Sequence, residues 1–101
     1  MARMRPDQAR QLLAVVPVEY VFQCCDGSAI GSMEELCQCL AAMDDETFAD
    51  HSNDEKRDFG NWARDVLGDT KLARDLDMSR SRKQASKRAD ARFSFLMSRL
   101  G

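Results

Sequence analysis

The feature that most limits how this chain can fold is the close spacing of its helix-capping residues. Such residues stand at five places along the sequence, namely Ser32, Asp44, Asn53, the Gly68-Asp69 pair and Ser79. A Ser, Asp or Asn side chain can accept a hydrogen bond from a free amide at a helix start, and Gly adopts the left-handed conformation that commonly ends a helix. The short intervals between these places predict several short helices that begin and end abruptly.

Apolar residues recur between the caps at intervals of three and four, which is the spacing of one face of an α-helix. The clearest stripes are Leu36, Leu40 and Met43; Phe59, Trp62, Val66 and Leu67; Leu72, Ala73 and Leu76; and Ala85, Ala89, Phe93, Leu96 and Leu100. We predict helices over residues 6–15, 33–43, 45–51, 54–67, 70–77 and 80–100. Ser32 and Glu35 have the spacing of a capping box, in which Glu35 reaches back to the Ser32 amide.

One segment has the composition of a β-strand instead. Residues 18–24 are rich in β-branched and aromatic side chains, and they lead into Asp26-Gly27 and then Ala29-Ile30. An Asp-Gly pair favours a tight hairpin turn whose two central residues both have positive φ. The predicted fold is therefore mainly α, a compact bundle of four to six short helices with one small β-hairpin near residues 18–31 and a long C-terminal helix.

Acidic and basic residues are distributed unevenly along the 101-residue sequence. Residues 1–79 carry 16 Asp and Glu against 8 Lys and Arg, whereas residues 80–101 carry 7 Lys and Arg against Asp90 alone. A chain of this length is one domain at most. We therefore expect an acidic helical domain over residues 1–79, with residues 80–101 forming a basic amphipathic helix. That helix is either part of the same domain or an assembly arm.

The C-terminal helix suggests two functions. Its apolar cluster consists of Phe93, Phe95, Leu96, Met97 and Leu100, and it predicts binding to another protein or to a second copy of the chain. Its basic residues are Arg80, Arg82, Lys83, Lys87, Arg88 and Arg92, which could contact the phosphates of nucleic acid. The acidic remainder of the chain would repel nucleic acid, so the first hypothesis is an interaction or assembly module. The basic residues could also dock on the acidic body or simply stay solvated.

Few residues suggest chemistry. His51, the only histidine, is flanked by Asp50, Asn53 and Asp54, so a general base is conceivable. We favour a structural role, because a histidine that ends a short helix commonly donates to a free carbonyl there. Trp62 recurs at helical spacing with Phe59 and Val66, which predicts a core residue.

Metal binding is a weaker alternative still. Cys24, Cys25, Cys37 and Cys39 match none of the usual zinc spacings, so we expect four reduced thiols. Asp58 and Asp65 lie two turns apart and could bind a cation with Asp54 or Asp69, but an acidic stripe on a helix is usually only solvated. The sequence therefore predicts no enzyme, cofactor or metal, and a small metal protein or enzyme built on His51 remains a second alternative.

The apolar runs of the sequence are short. None approaches the roughly 20 residues that cross a bilayer, and residues 12–16 are too few and too interrupted for a secretory signal. We therefore expect a cytoplasmic protein without membrane contact.

The region between residues 18 and 77 also resembles an uncharacterised prokaryotic family of small domains of unknown function. The resemblance begins with Phe22, Asp26-Gly27 and Ser32-x-x-Glu35-Leu36-x-x-x-Leu40. Its densest part is Phe48-x-x-His51-x-Asn53 and Asp58-Phe59-x-x-Trp62-x-x-Asp65-Val66-Leu67-Gly68-Asp69-x-x-Leu72-Ala73-x-x-Leu76. It leaves out the N-terminal helix and the basic C-terminal segment. It implies nothing about activity, because that family has no assigned function.

Overall fold

The computed structural model describes residues 4–100, and most of them are helical. In chain order the elements are α1 (Pro6–Leu13), a 3₁₀ turn (Val18–Tyr20), β1 (Phe22–Gln23), β2 (Ala29–Ile30), α2 (Met33–Ala42), α3 (Asp45–His51), α4 (Asp58–Trp62), a π-helical turn (Ala63–Leu67), α5 (Thr70–Asp77) and α6 (Arg82–Ser98). The prediction of a mainly α fold with one small hairpin and a long C-terminal helix is confirmed.

Most of the predicted caps are in place. Ser32 Oγ accepts from the Glu35 amide at 3.2 Å, Asp44 Oδ1 from the Thr47 amide at 2.7 Å, and Asp69 Oδ1 from the Leu72 amide at 3.0 Å. Gly68 ends the π-helical turn with a φ of +78°. The capping box differs in one respect, because Glu35 Oε1 accepts from the Gly31 amide at 2.7 Å and not from that of Ser32.

Two helices begin later than predicted. Asn53 does not start α4, because its Oδ1 accepts from the Glu55 and Lys56 amides at 2.8 and 3.0 Å and so closes a tight turn before the helix. Ser79 does not start α6, because its Oγ donates to the Asp75 carbonyl at 2.7 Å, at the end of α5. Ser and Asn make the same local hydrogen bonds in turns as in caps, so their presence alone does not locate a helix start.

The first helix and the hairpin are shorter than predicted. Helix α1 ends at Leu13, and Val18–Tyr20 form a 3₁₀ turn, so only Phe22–Gln23 pair with Ala29–Ile30. At the hairpin turn the Gly27 amide donates to the Cys24 carbonyl at 3.0 Å. Gly27 has a φ of +91°, and no residue other than glycine has positive φ within residues 4–100. The Cys24 amide also donates to the Ser28 carbonyl at 2.9 Å, which leaves residues 25–27 as a three-residue loop that ends in a left-handed glycine. The prediction of positive φ at Asp26 is therefore wrong.

Helix α6 is an integral part of the core. It packs against α1, α2 and α5, and its Ala85, Ala89 and Leu96 are fully buried. The two alanines have small side chains, which lets the backbone of α6 approach that of its neighbours. From α2, Leu36 and Leu40 are fully buried in the same cluster. Each buried leucine contributes about 1.5–3 kcal/mol relative to an exposed one, so the packing of α6 is a large part of the total stability.

The helices of the described region are short relative to a membrane. None of those within residues 4–100 is both long enough and apolar enough to cross a bilayer.

Candidate functional site

The predicted apolar cluster of α6 does not form a single surface. Leu96 is fully buried, and Phe93 and Leu100 pack against the core as half-buried side chains. Phe95 and Met97 are 37% and 48% exposed, but they stand two positions apart. Two positions correspond to a rotation of about 200° around a helix, so these two side chains lie on different sides of α6. Three members of the cluster thus help to hold the fold, and only two are accessible.

Phe95 faces a groove between α5 and α6. The groove has a volume of about 560 Å³ and is lined by Lys71, Asp75, Met78, Arg88, Ala91, Arg92 and Phe95. Its apolar floor comes from Met78, Ala91 and Phe95, and Met78 at the end of α5 is 65% exposed. The sequence contained one signal for this groove, because Met78 lies outside the buried stripe Leu72, Ala73 and Leu76. The position of α5 beside α6 was needed to interpret it.

The charges around this groove are incompletely balanced. Arg92 forms a bidentate ion pair with Asp69, at 2.8 and 3.1 Å, and Lys71 pairs with Asp75 one turn along α5. Arg88 Nη1 instead donates to the Asp75 carbonyl at 3.0 Å and to Ser79 Oγ at 3.2 Å, both of which are uncharged acceptors. Among residues 4–100, no carboxylate forms an ion pair with Arg88, so the groove carries a net positive charge.

The predicted phosphate-binding residues divide into two groups. Arg82 donates to Asp45 Oδ1 and to the Leu40 carbonyl, each at 2.8 Å, while Arg88 and Arg92 hold α5 as described above. The remaining three, Arg80, Lys83 and Lys87, are exposed. Half of the predicted set therefore docks on the body of the same chain.

The structure contradicts the prediction that His51 caps its own helix. Its Nε2 accepts from the Cys25 backbone amide at 3.0 Å, and its Nδ1 lies 3.0 Å from Asp58 Oδ2. Because a backbone amide only donates, the ring proton is on Nδ1 and faces Asp58. The ring also makes edge contacts with Phe22 and Phe59, at centroid distances of 5.2 and 5.5 Å. His51 thus joins the hairpin loop to α4.

This contact of Cys25 and His51 does not have the geometry of an activated nucleophile. The Cys25 thiol lies 3.6 Å from Asp50 Oδ2, and it is the Cys25 amide that contacts the histidine. Desolvation and the hydrogen bond to Asp50 raise the pKa of the Cys25 thiol. A nucleophilic cysteine needs a thiol whose pKa is lowered, usually by a nearby histidine or other cation, whereas here the thiol pKa is raised and the histidine contacts the amide. The arrangement is that of a structural link.

The other candidate ligands are dispersed. Asp58 contacts His51 and Asp69 contacts Arg92, while Cys24 and Cys37 are buried. No group of three or more His, Cys, Asp or Glu side chains within the described part of the chain could hold a metal ion. Trp62 lies in the core as predicted, and its Nε1 donates to the Tyr20 carbonyl at 2.8 Å.

A second exposed apolar surface was missed by the sequence analysis. Val15, Val18 and Tyr20 are 79%, 83% and 57% exposed, and they lie between α1 and β1. The composition of residues 18–24 predicts a strand, in which alternate side chains would be covered. Because residues 18–20 form a 3₁₀ turn instead, Val18 and Tyr20 are exposed, and Val15 is exposed because α1 ends before it, at Leu13.

The chain was compared with known protein families, single proteins and solved structures. No protein-family model, curated protein or solved structure matches the chain. The resemblance of residues 18–77 to an uncharacterised prokaryotic family therefore stays a prediction.

Proposed function

We propose that this chain is a non-catalytic interaction module that associates with a second copy of itself through the groove between α5 and α6. The observation that carries the proposal is the exposure of Met78 and Phe95 in one concave, mostly apolar site. Exposed apolar side chains that lie together and are surrounded by polar residues commonly mark a surface that binds another protein. Methionine suits such a site, because its flexible side chain adapts to the shape of a partner.

The size of the groove suggests that the association is weak. A stable protein interface covers about 800 Å² on each partner, which is more surface than one short groove provides. We therefore expect a complex that forms and dissociates with protein concentration. The proposal includes a cytoplasmic location, where the four free cysteines would stay reduced.

Analytical ultracentrifugation over a range of protein concentrations tests this function. In the variant Met78→Lys, an ammonium group that must lose its water on binding replaces an apolar contact of the groove, so we expect dimerisation to weaken by about tenfold or more. Met97→Lys is the matched control, because it makes the same change on the other side of α6. A wild-type chain that stays monomeric at every concentration, or equal weakening by both variants, would contradict the proposal.

A second candidate is contact with nucleic acid through Arg80, Lys83 and Lys87. It is favoured by one observation, that Lys83 and Lys87 are exposed one helical turn apart on α6. Three cations would give weak, sequence-independent binding, with log K falling by about 0.9 per phosphate contact for each unit of log salt. A mobility shift of random duplex DNA at low salt that disappears in Lys83→Glu/Lys87→Glu would support this candidate. Unchanged migration of the DNA with the wild-type chain would exclude it.

A further inference from the structure

We infer that the groove of one copy binds residues 15–20 of the next copy, so that the chains associate head to tail. This inference rests on the proposed function and deepens it by naming both surfaces. The two sites contain five of the six large apolar residues that are exposed within residues 4–100, and they belong to different elements of the fold. A contact between them would cover both at once.

The 15–20 segment displays its apolar side chains on an ordered backbone. The Val16 amide donates to the Gly31 carbonyl at 2.8 Å, and the Tyr20 carbonyl accepts from Trp62 Nε1 at 2.8 Å. Pro17 lies between these two anchors with φ fixed at −57°. Because the segment is already ordered, binding it costs less conformational entropy than binding a flexible loop.

Charge also favours this pairing. Glu19 is the only charged residue of the segment, and it is exposed. The groove offers the positive charge of Arg88, whose hydrogen-bond acceptors are both uncharged. An acidic group entering the groove would therefore give Arg88 the carboxylate partner that it lacks. Complementary charges of this kind also fix the orientation of one partner on the other.

The alternative of two grooves meeting face to face is less favourable. Two concave surfaces would leave the space between Met78, Phe95 and their counterparts unfilled, and unfilled space forfeits dispersion contacts. A symmetric contact would also bring Arg88 of both copies into one interface, where the carboxylate that lines the groove, Asp75, is already paired with Lys71. The exposed segment 15–20 brings the carboxylate of Glu19 with it.

Head-to-tail contact has a consequence that a symmetric dimer lacks. Each bound pair keeps one free groove and one free segment, so assembly continues until a ring closes or the concentration limits chain growth. The average mass should therefore rise beyond that of a dimer as the protein is concentrated.

A mixing experiment with two single variants tests the inference. Val18→Lys alters the segment and leaves the groove intact, whereas Met78→Lys does the reverse. Each variant alone should associate at least about tenfold more weakly than the wild type. An equimolar mixture should form a 1:1 heterodimer, because one intact groove then meets one intact segment. Sedimentation should show this heterodimer and no larger assembly as the concentration rises.

Other outcomes separate this inference from the proposed function. If the wild type associates but Val18→Lys associates equally well, or if the mixture stays monomeric, the head-to-tail contact is wrong and self-association stands. A wild type that never associates overturns both. Circular dichroism checks the fold of each variant, and Val15→Lys replaces Val18→Lys if the latter does not fold.

Discussion

At the scale of single residues, Asp69 shows how a local cap can also hold a tertiary contact. Its carboxylate accepts from the Leu72 amide in the first turn of α5 and from two nitrogens of Arg92 on α6. Asp69 is 2% exposed, so its charge depends on these partners and not on water for its stabilisation. The sequence predicted the cap, because a cap depends on neighbours three residues away. It did not predict the ion pair, which joins residues 23 positions apart.

Asp69→Asn should destabilise the fold strongly. The side-chain oxygen of the variant can still accept from the Leu72 amide, but the partly buried Arg92 guanidinium loses its counter-charge. Breaking a fully buried ion pair costs about 3–5 kcal/mol, and we expect a loss at the lower end of this range because Arg92 lines an open groove. Urea unfolding of this variant should show the loss, whereas Lys71→Ala, which removes an exposed ion pair, should cost less than about 1 kcal/mol. Equal losses in the two variants would mean that the Asp69–Arg92 pair has no special importance.

Cys37 should make the stability depend on pH in alkaline solution. Burial and the nearby Asp90 raise the pKa of the Cys37 thiol to about 12, from 9.0 in an unfolded chain. Between these two values the unfolded state releases a proton that the folded state keeps, so stability falls as pH rises above 9.0. The slope contributed by one such group approaches about 1.4 kcal/mol per pH unit. Unfolding curves at several alkaline pH values should show this decline, and Cys37→Ala should reduce it.

At the scale of the elements, the sequence predicts where helices lie better than where they begin. Ser32, Asp44 and Asp69 cap the helices that follow them. In contrast, the Asn53 side chain accepts from amides of a turn, and the Ser79 side chain donates to a carbonyl at the end of α5. Ser79 Oγ also accepts from Arg88, a contact that exists only once α6 lies beside α5. The groove could not be predicted for the same reason, because it exists only where α5 lies beside α6. Phe95 was a candidate binding residue from the sequence, but its neighbour Met78 was not.

The contact between α4 and α5 depends on the absence of a side chain at Gly60. A Cβ atom at this position would lie 2.8 Å from Asp77 Cγ and 3.1 Å from the Ala73 carbonyl oxygen. Gly60→Ala should therefore destabilise the protein by about 1–3 kcal/mol through overpacking, despite the better helix propensity of alanine. In the Asp77→Ala background the same substitution should cost less, because the nearest side chain is gone. Additive effects in a denaturant double-mutant cycle would argue against this close approach.

At the scale of the whole molecule, the separation of charge along the sequence becomes a set of contacts within one chain. Arg82 pairs with Asp45 and Arg92 with Asp69, so the basic C-terminal helix is bound to the acidic body. The apolar side of α6 is buried along its length, and its fully buried residues are Ala85, Ala89 and Leu96. Both patterns were visible in the sequence. Whether they act within one chain or between two depends on the lengths and directions of the connections, which no periodicity reveals.

Removal of α6 should unfold the protein. A chain that ends at residue 79 would expose Leu36 and Leu40 on α2 and would leave Asp69 buried without a counter-charge. We expect loss of the cooperative thermal transition by circular dichroism. Addition of a peptide of residues 80–101 should restore helical signal, because the same contacts can form between separate pieces. A truncated chain that still melts cooperatively would show that α6 is dispensable for folding.

The position of Arg82 sets a limit on what a polyanion can do to this molecule. Its guanidinium donates to the Leu40 and Ala41 carbonyls at the end of α2 and to Asp45 at the start of α3, so it fastens the corner between two consecutive helices. A phosphate chain that recruits Arg82 must first open that corner. Arg82 therefore cannot bind a phosphate and keep these hydrogen bonds at the same time. A polyanion that binds Arg82 should lower the melting temperature of the protein.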